Sequence, residues 1–357
     1  MGKILDEILG SIAKVEGKSD NTCLLSELDA FKDVSEWAST SIPELNHLLK
    51  TPGFPTRMVI EITGREQSGK TTAAWHYASG VQKMAENAVV IILSTERRNY
   101  AGYPKKIGVK EEQVIIEKPK TLEKIFERMN YWMSKLRDKY GYDFPIVFIV
   151  DSIGATPSKA EDAADADDNF MGIAARVLKK NLRKNVWKFD ENNVTFFVIN
   201  QVYELMNTAP GQKKTKSYGG SGLRLASAIR IEVTDIGKIT LYPKDKVNRK
   251  KVGQYTKLEL LKCDFSPPFR DVVVPLLYGV GFVPSIDGLK MCEEFGILEK
   301  YKFGYIAKFN PEYKWKNETE YYELCIKSSK FRKTLIALMD IHIKKKIFKS
   351  RIKKVNE

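Results

Sequence analysis

The octapeptide GREQSGKT, residues 64–71, fits G-x-x-x-x-G-K-[ST], the spacing of a phosphate-binding loop. The apolar run MVIEIT precedes it and a helical pattern follows from Thr72, so the strand–loop–helix context is present. Gly64 and Gly69 let the backbone curl until loop N–H groups face phosphate at a helix N-terminus. Lys70 supplies a point charge for β- and γ-phosphates, and the Thr71 hydroxyl is a ligand for Mg2+. Two carboxylates complete the set. Asp151 ends the run IVFIVD, where a parallel α/β sheet places metal-shell groups; its competing role is to cap a following helix. Glu96 closes VVIILSTE on the same expected sheet edge, placed to orient or deprotonate an attacking water; its competing role is an exposed loop carboxylate.

These groups need a scaffold, and the text around them supplies one. MVIEIT, VVIILST, VIIE, IVFIVDS and VTFFVIN are continuous apolar runs, the pattern of strands buried on both faces. Between them TTAAWHYASGVQKMAEN, TLEKIFERMNYWMSKLRDKYG and FMGIAARVLKKNLRKNVWKF carry helical periodicity, so an α/β domain with helices on both faces of a mainly parallel sheet is expected. AIRIEVTDIGKITLYP, YTKLELLKC and DVVVPLL read as further strands that extend the sheet with antiparallel members. After Gln201 come about twenty residues without periodicity, containing Pro-Gly and Gly-Gly, which read as a long working loop. The expected division is an amphipathic N-terminal helix and linker over 1–36, a core over 37–284, and a small α+β C-terminal domain with a basic tail over 285–357.

With 59 Lys and Arg against 45 Asp and Glu the formal charge is +14, which favours a polyanionic partner. Residues 327 to 357 alone hold eleven Lys or Arg against Asp340 and Glu357. Cys23, Cys263, Cys292 and Cys325 have no paired spacing, so free thiols of a reducing compartment are expected. No apolar run approaches the roughly 18 residues of a membrane helix, and Asp6 and Glu7 interrupt the N-terminal apolar pattern, so neither membrane nor signal peptide is expected.

Several ordered blocks resemble the RecA family of homologous-recombination ATPases, over roughly 37 to 345 and more weakly in the N-terminal helix. STSIPELNHLL with MVIEITGREQSGKTT resembles the entry to that family's ATPase core, and STERRNYAGYPKKIGV its second strand and turn. VDSIGATPSKAE with FMGIAARVLKKNLRK resembles the magnesium strand, first DNA-binding loop and following helix. VINQ with GGSGLRLASAIRIEV resembles the sensor glutamine, second DNA-binding loop and next strand. The resemblance implies that Gly64, Arg65, Glu66, Gln67, Ser68, Gly69, Lys70, Thr71 and Thr72 hold the triphosphate, that Tyr103 stacks on adenine, and that Gln201 senses the γ-phosphate. It implies DNA contact by Met171, Arg176, Lys179, Arg183, Gly219 and Gly220, and reach to a neighbouring subunit's nucleotide by Arg224 and Lys262. Arg176, Lys179 and Arg183 also lie three or four apart on one helix face, able to follow a phosphate backbone. Lys213, Lys214 and Lys216 would face phosphate, while Tyr203 and Met206 would wedge between bases or pack the loop.

The function this implies is an ATP-dependent recombinase, with ATP and Mg2+ as cofactors. It would form a helical filament of its own copies on single-stranded DNA, pair with homologous double-stranded DNA, and draw on single-strand-binding and loader proteins. The expected location is bacterial or phage-infected host cytoplasm. A mediator of the same fold without strand exchange and a ring-forming helicase are the alternatives. The sequence also departs from the family: Tyr100 replaces an acidic residue at the adenine edge, Asp264 replaces a lysine, the tail is basic where bacterial members end acidic, and EDAADADDN at 161–169 is acidic beside a DNA loop.

Overall fold

A strand buried on both faces must be covered by helices from both sides, and the alternating side chains of this chain divide accordingly. The computed structural model describes residues 36–95, 102–163, 172–204, 215–302 and 304–355. The chain falls into two units, 1–36 and 37–357; the N-terminal helix expected near 3–15 lies outside the described residues.

The second unit opens with β1 (Trp37–Ala38), α1 (Pro43–Leu49), β2 (Phe54–Pro55), β3 (Val59–Gly64), α2 (Lys70–Met84) and β4 (Val89–Ser94). Next come α3 (Tyr103–Ile107), β5 (Val114–Glu117), α4 (Leu122–Tyr140), β6 (Ile146–Asp151), α5 (Lys159–Asp162), α6 (Ile173–Glu191) and β7 (Val194–Glu204). β8 (Thr215–Ser217), α7 (Gly220–Ala226), β9 (Ser227–Leu241), β10 (Lys250–Cys263), β11 (Arg270–Leu277) and β12 (Gly281–Phe282) follow. The last segment holds α8 (Ile286–Glu294), β13 (Leu298–Tyr301), β14 (Gly304–Ala307), β15 (Lys314–Trp315), α9 (Glu318–Lys327) and α10 (Ser329–Val355).

The central sheet runs β12-β11-β10-β9-β3-β7-β6-β4-β5, with β8 on β7. Its middle, from β9 to β5, is parallel, and β10 to β12 are antiparallel. β9 therefore corrects the expectation that the late strands all extend the sheet in antiparallel fashion. The crossover through α7 returns the chain to the far edge of β3 in the same direction, and the sense reverses only at β10.

The period-2 split is visible residue by residue. Ile60, Ile62, Val147, Ile149, Phe197 and Ile199 face Trp75, Tyr77 and Val81 of α2. Val59, Phe148, Val150, Phe196 and Val198 face Phe126 and Met129 of α4 and Leu178, Leu182 and Phe189 of α6. Each such apolar side chain withdrawn from water contributes about 1.5–3 kcal/mol. α4 starts at Thr121, whose hydroxyl accepts the Lys124 N–H at 3.3 Å, and stops at Gly141, where φ is +77°. A third cluster joins Ile239, Leu241 and Val252, at the far ends of β9 and β10, to Leu289, Trp315, Tyr321 and Phe331, so that hairpin and the last segment share one core.

Two buried acids clasp the last segment onto the start of the unit. Glu44 of α1 accepts the Ser285 N–H at 2.6 Å, at the head of α8. Asp340 of α10 accepts from the Ser39 hydroxyl at 2.7 Å and the Asn46 amide at 3.0 Å. Burial lifts Glu44 to about 7 and Asp340 to about 6. Both are acids raised above their ordinary range, so folding takes up protons, and the stability they contribute at low pH is lost as pH rises through 6 to 7. Thermal melting between pH 5 and pH 8 should fall for the native sequence and fall less for Glu44→Gln, the difference amounting to roughly 3 kcal/mol.

Candidate nucleotide site and nucleic-acid interface

β3 carries the chain into the phosphate loop at Gly64, where a Cβ would sit 2.2 Å from the Val233 carbonyl oxygen and 2.9 Å from Ser68 Oγ. No other residue fits so close an approach of the loop to β9. Gly69 has φ +109° and precedes Lys70, the first residue of α2, so the open N–H groups of the first helical turn face the loop. Lys70 is nearly buried and its Nζ donates to the Arg65 carbonyl at 2.6 Å, lying across the loop. Arg65, Glu66 and Gln67 are exposed and Ser68 is buried.

Thr71 donates its hydroxyl proton to Asp151 Oδ2 at 3.0 Å. Asp151 is 1% exposed at the end of β6, and Ser152, not Asp151, precedes the short helical turn 153–155, so the capping alternative is set aside. A hydroxyl and a carboxylate in contact are the hard oxygen donors that Mg2+ takes when phosphates complete its shell. Among the described residues no group of three or more His, Cys, Asp or Glu could hold a metal unaided. Thr95 donates its N–H to the Asp151 carbonyl at 3.0 Å and its hydroxyl to the Ser152 carbonyl at 2.9 Å, which ties the end of β4 to the end of β6. Glu96, the next residue, lies outside the described residues, as do Met171, Met206, Lys213 and Lys214.

A cavity of about 580 Å³ adjoins the loop, lined by Lys70, Thr71, Thr72, Trp75, Tyr103 and Tyr278 among others. Tyr103 shares a 2.9 Å hydrogen bond between its hydroxyl and that of Thr72, and burial raises its pKa. Sequence reasoning missed Trp75, Gln254, Tyr278 and Gly279 in this wall, because none belongs to the loop motif and three of them lie far along the chain, Gln254 in β10 and Tyr278 and Gly279 in the turn after β11.

The stretch after Gln201 is shorter as a loop than its composition suggests. β7 continues to Glu204 and pairs antiparallel with β8, Tyr203 opposite Lys216 and Val202 opposite Ser217. Only 205–214 lies outside the described residues, and α7 begins at Gly220. The hairpin ladder satisfies backbone groups that a solvated loop would leave to water, which the polar composition conceals. Gln201 stands beside Gly64 in parallel register, and its side-chain amide donates to Ser152 Oγ at 3.4 Å.

Below it a buried network closes the base of the hairpin. Glu61, 1% exposed in β3, pairs with Arg230 of β9 and accepts from the Asn200 amide at 2.8 Å. The same amide donates to the Tyr218 carbonyl at 2.9 Å, and Arg230 reaches Ser217 Oγ at 3.2 Å. A charge in the middle of MVIEIT and another in AIRIEV were the sequence signals for this pair.

Gly219 and Gly220 have φ +85° and +66°, and Cβ atoms there would meet Leu178 Cδ1 at 2.8 Å and Ala175 Cβ at 3.2 Å. The glycine pair thus seats the hairpin's exit directly on α6. Arg176, Lys179 and Arg183 of α6, with Lys180 and Lys184, are exposed along one shallow groove of about 600 Å³. None of the five has an acidic partner among the described residues, so the whole row is free to meet phosphate. Arg224 lines a second cavity, about 470 Å³, with Lys216 and Arg230. Lys262 donates to the Ser227 carbonyl at 2.6 Å and pairs with Asp264 at 3.5 Å. Neither Arg224 nor Lys262 lines the phosphate cavity of its own chain.

Removing one partner of the Glu61–Arg230 pair leaves a buried charge, at a cost of about 3–5 kcal/mol. Denaturant unfolding of Glu61→Gln should register that loss, and Glu61→Met combined with Arg230→Leu should recover most of it.

No helix among the described residues is long and apolar enough to cross a membrane. Residues 3–283 match the model of the RecA N-terminal domain. The chain is 30% identical over 298 residues to Protein RecA of Citrifermentans bemidjiense, covering 84% of this chain and 83% of that one. It is 29% identical to Protein RecA of Geobacter sulfurreducens over the same length and shares, and 29% identical over 299 residues to that of Wolbachia pipientis, covering 84% and 79%. A family model spanning most of the chain, a phosphate loop in its strand–helix setting and relatives matched across more than four-fifths of the sequence have one reading: the chain belongs to the RecA family.

Proposed function

We propose that this protein is an ATP-dependent DNA recombinase that assembles as a helical filament on single-stranded DNA and exchanges strands with homologous duplex. The observation that carries this reading is the parallel register that sets Gln201 beside Gly64. It makes the strand that enters the phosphate loop and the strand that enters the second DNA loop immediate neighbours, so a group sensed at one is felt at the other.

In this reading the loop N–H groups and Lys70 bind the triphosphate, and Thr71 with Asp151 would hold Mg2+, which supplies charge neutralisation between phosphate oxygens. Glu96 orients a water on the γ-phosphorus and takes its proton as the bond to the β-bridging oxygen breaks, giving ADP and phosphate. Tyr103 presents a flat face to the base. Gln201 holds the hairpin in its DNA-binding arrangement while the γ-phosphate is present. Arg176, Lys179 and Arg183 follow the backbone of the bound strand, with Met171, Tyr203, Met206, Lys213, Lys214 and Lys216 around the bases and phosphates. Arg224 and Lys262 reach the neighbouring subunit's nucleotide, with Asp264 leaving that cross-subunit charge weaker than in relatives carrying lysine there. Residues 1–36 dock on the next core, and 285–357 with its basic tail captures duplex. Sequence is read by base pairing, the protein holding backbones. Single-strand-binding and loader proteins are the expected helpers, in the cytoplasm.

Electron microscopy with single-stranded DNA should give extended helical filaments with ATPγS and none with ADP; closed rings would favour a helicase and no assembly a mediator. Lys70→Ala should lower DNA-dependent ATP hydrolysis on the order of 10²–10³-fold and abolish nucleotide-dependent filaments. Replacing Arg176, Lys179 and Arg183 by alanine should weaken single-strand binding and reduce the slope of log K against log salt by about two.

A further inference from the structure

Gln254 is 1% exposed in β10, yet it lines the phosphate cavity. Its side-chain amide donates to the Gln67 carbonyl at 3.0 Å, reaching from a late strand to the middle of the phosphate loop. Its oxygen accepts from Lys238 Nζ at 3.2 Å and from the Tyr278 hydroxyl at 3.4 Å. Tyr278 and Gly279 line the same cavity from the segment after β11.

Three features single this amide out. Gln67 is a non-glycine residue at φ +57°, a conformation that persists only where its surroundings hold it. The bond falls on the carbonyl of that same residue, while its side chain is exposed. The ladder between β9 and β10 breaks register on each side of Gln254, between Lys251 and Gly253 and again between Tyr255 and Thr256. Bulges re-aim side chains and gather beside active sites. Here the pair of irregularities brackets the one residue of β10 that bonds the loop.

We infer that Gln254 is a positioning residue for nucleotide binding: its amide fixes the left-handed turn at Gln67 and joins the phosphate loop to the wall that carries Tyr278. The inference rests on the proposed reading of this cavity as the nucleotide site. A side chain there must donate to the loop and accept from the wall at once. Glutamine does both with one planar group, whereas a carboxylate of the same size only accepts.

Gln254→Glu isolates the first bond. It keeps volume and both contacts of the oxygen, and turns an oxygen towards the Gln67 carbonyl. Titration with a fluorescent ATP analogue should show about ten-fold weaker binding by Gln254→Glu, and steady-state hydrolysis a KM raised by a similar factor with kcat at saturation within two-fold. A purely structural role would lower the melting temperature and the active fraction without that split. Tyr278→Phe, which removes the second donor and keeps the ring, should weaken binding in the native background and add nothing once Gln254 is methionine. Native affinity and KM in Gln254→Glu, or fully additive effects of Tyr278→Phe and Gln254→Met, would overturn the inference. A native protein that binds no nucleotide would overturn it together with the reading of the cavity, and the unmutated titration alone reports that case.

Discussion

The arrangement of this protein hangs on a charge pair where no charge is expected. Glu61 and Arg230 lie inside a parallel sheet, on β3 and β9, with Asn200 of β7 bonded to the same carboxylate. Those three neighbouring strands lead to the phosphate loop, to the pairing of β7 with β8 and to the antiparallel extension. A buried ion pair gains little net stability, because desolvation offsets attraction, but it tolerates only one alignment of its partners. Slipping any of the three strands by one residue would turn Glu61, Asn200 or Arg230 to the opposite face and leave the others unmatched. The register that sets Gln201 beside Gly64 is fixed by this geometry.

From that alignment the rest of the site follows by contact. The ends of β3, β4, β6 and β7 form one sheet edge, and Thr71, Asp151, Thr95 and Gln201 converge on it through hydrogen bonds. Tyr218 and Ser217, tied to Asn200 and Arg230, return the hairpin to the same edge. The glycine pair that follows packs against α6, whose outer face carries the row of cations without an acidic partner among the described residues. The cavity beside the phosphate loop and the basic row are thus two ends of one hydrogen-bonded and close-packed path about β7. Such a path has a physical means of coupling, since packed interfaces shift between discrete arrangements more readily than they deform.

Much of this was legible in the text of the chain. The phosphate loop was, because the backbone curl and the lysine are local requirements that spacing records. So was Asp151, since a carboxylate at the end of a continuous apolar run has few uses. The covering of both sheet faces followed from runs too apolar to alternate. The hairpin of β7 and β8 escaped notice because its stability comes from ladder bonds that polar residues make as well as apolar ones. The direction of β9 was not legible because a strand's own residues look alike whether it pairs parallel or antiparallel; only the crossover through α7 decides.

The sequence alone determined what is local: the phosphate-loop motif in its strand–helix setting, the strands that must be buried, the helix with cations on one face, and the basic charge excess. It determined these because each depends on residue type at fixed short spacing. Tertiary structure alone decided what depends on register between distant strands. That Gln254 holds the Gln67 carbonyl, that Glu61 meets Arg230 across 169 positions, and that the glycine pair rests on Leu178 and Ala175 are consequences of which strands become neighbours. Long-range pairing leaves no periodic trace in the chain, because the partner of a buried polar group can lie on any strand that the sheet brings alongside it.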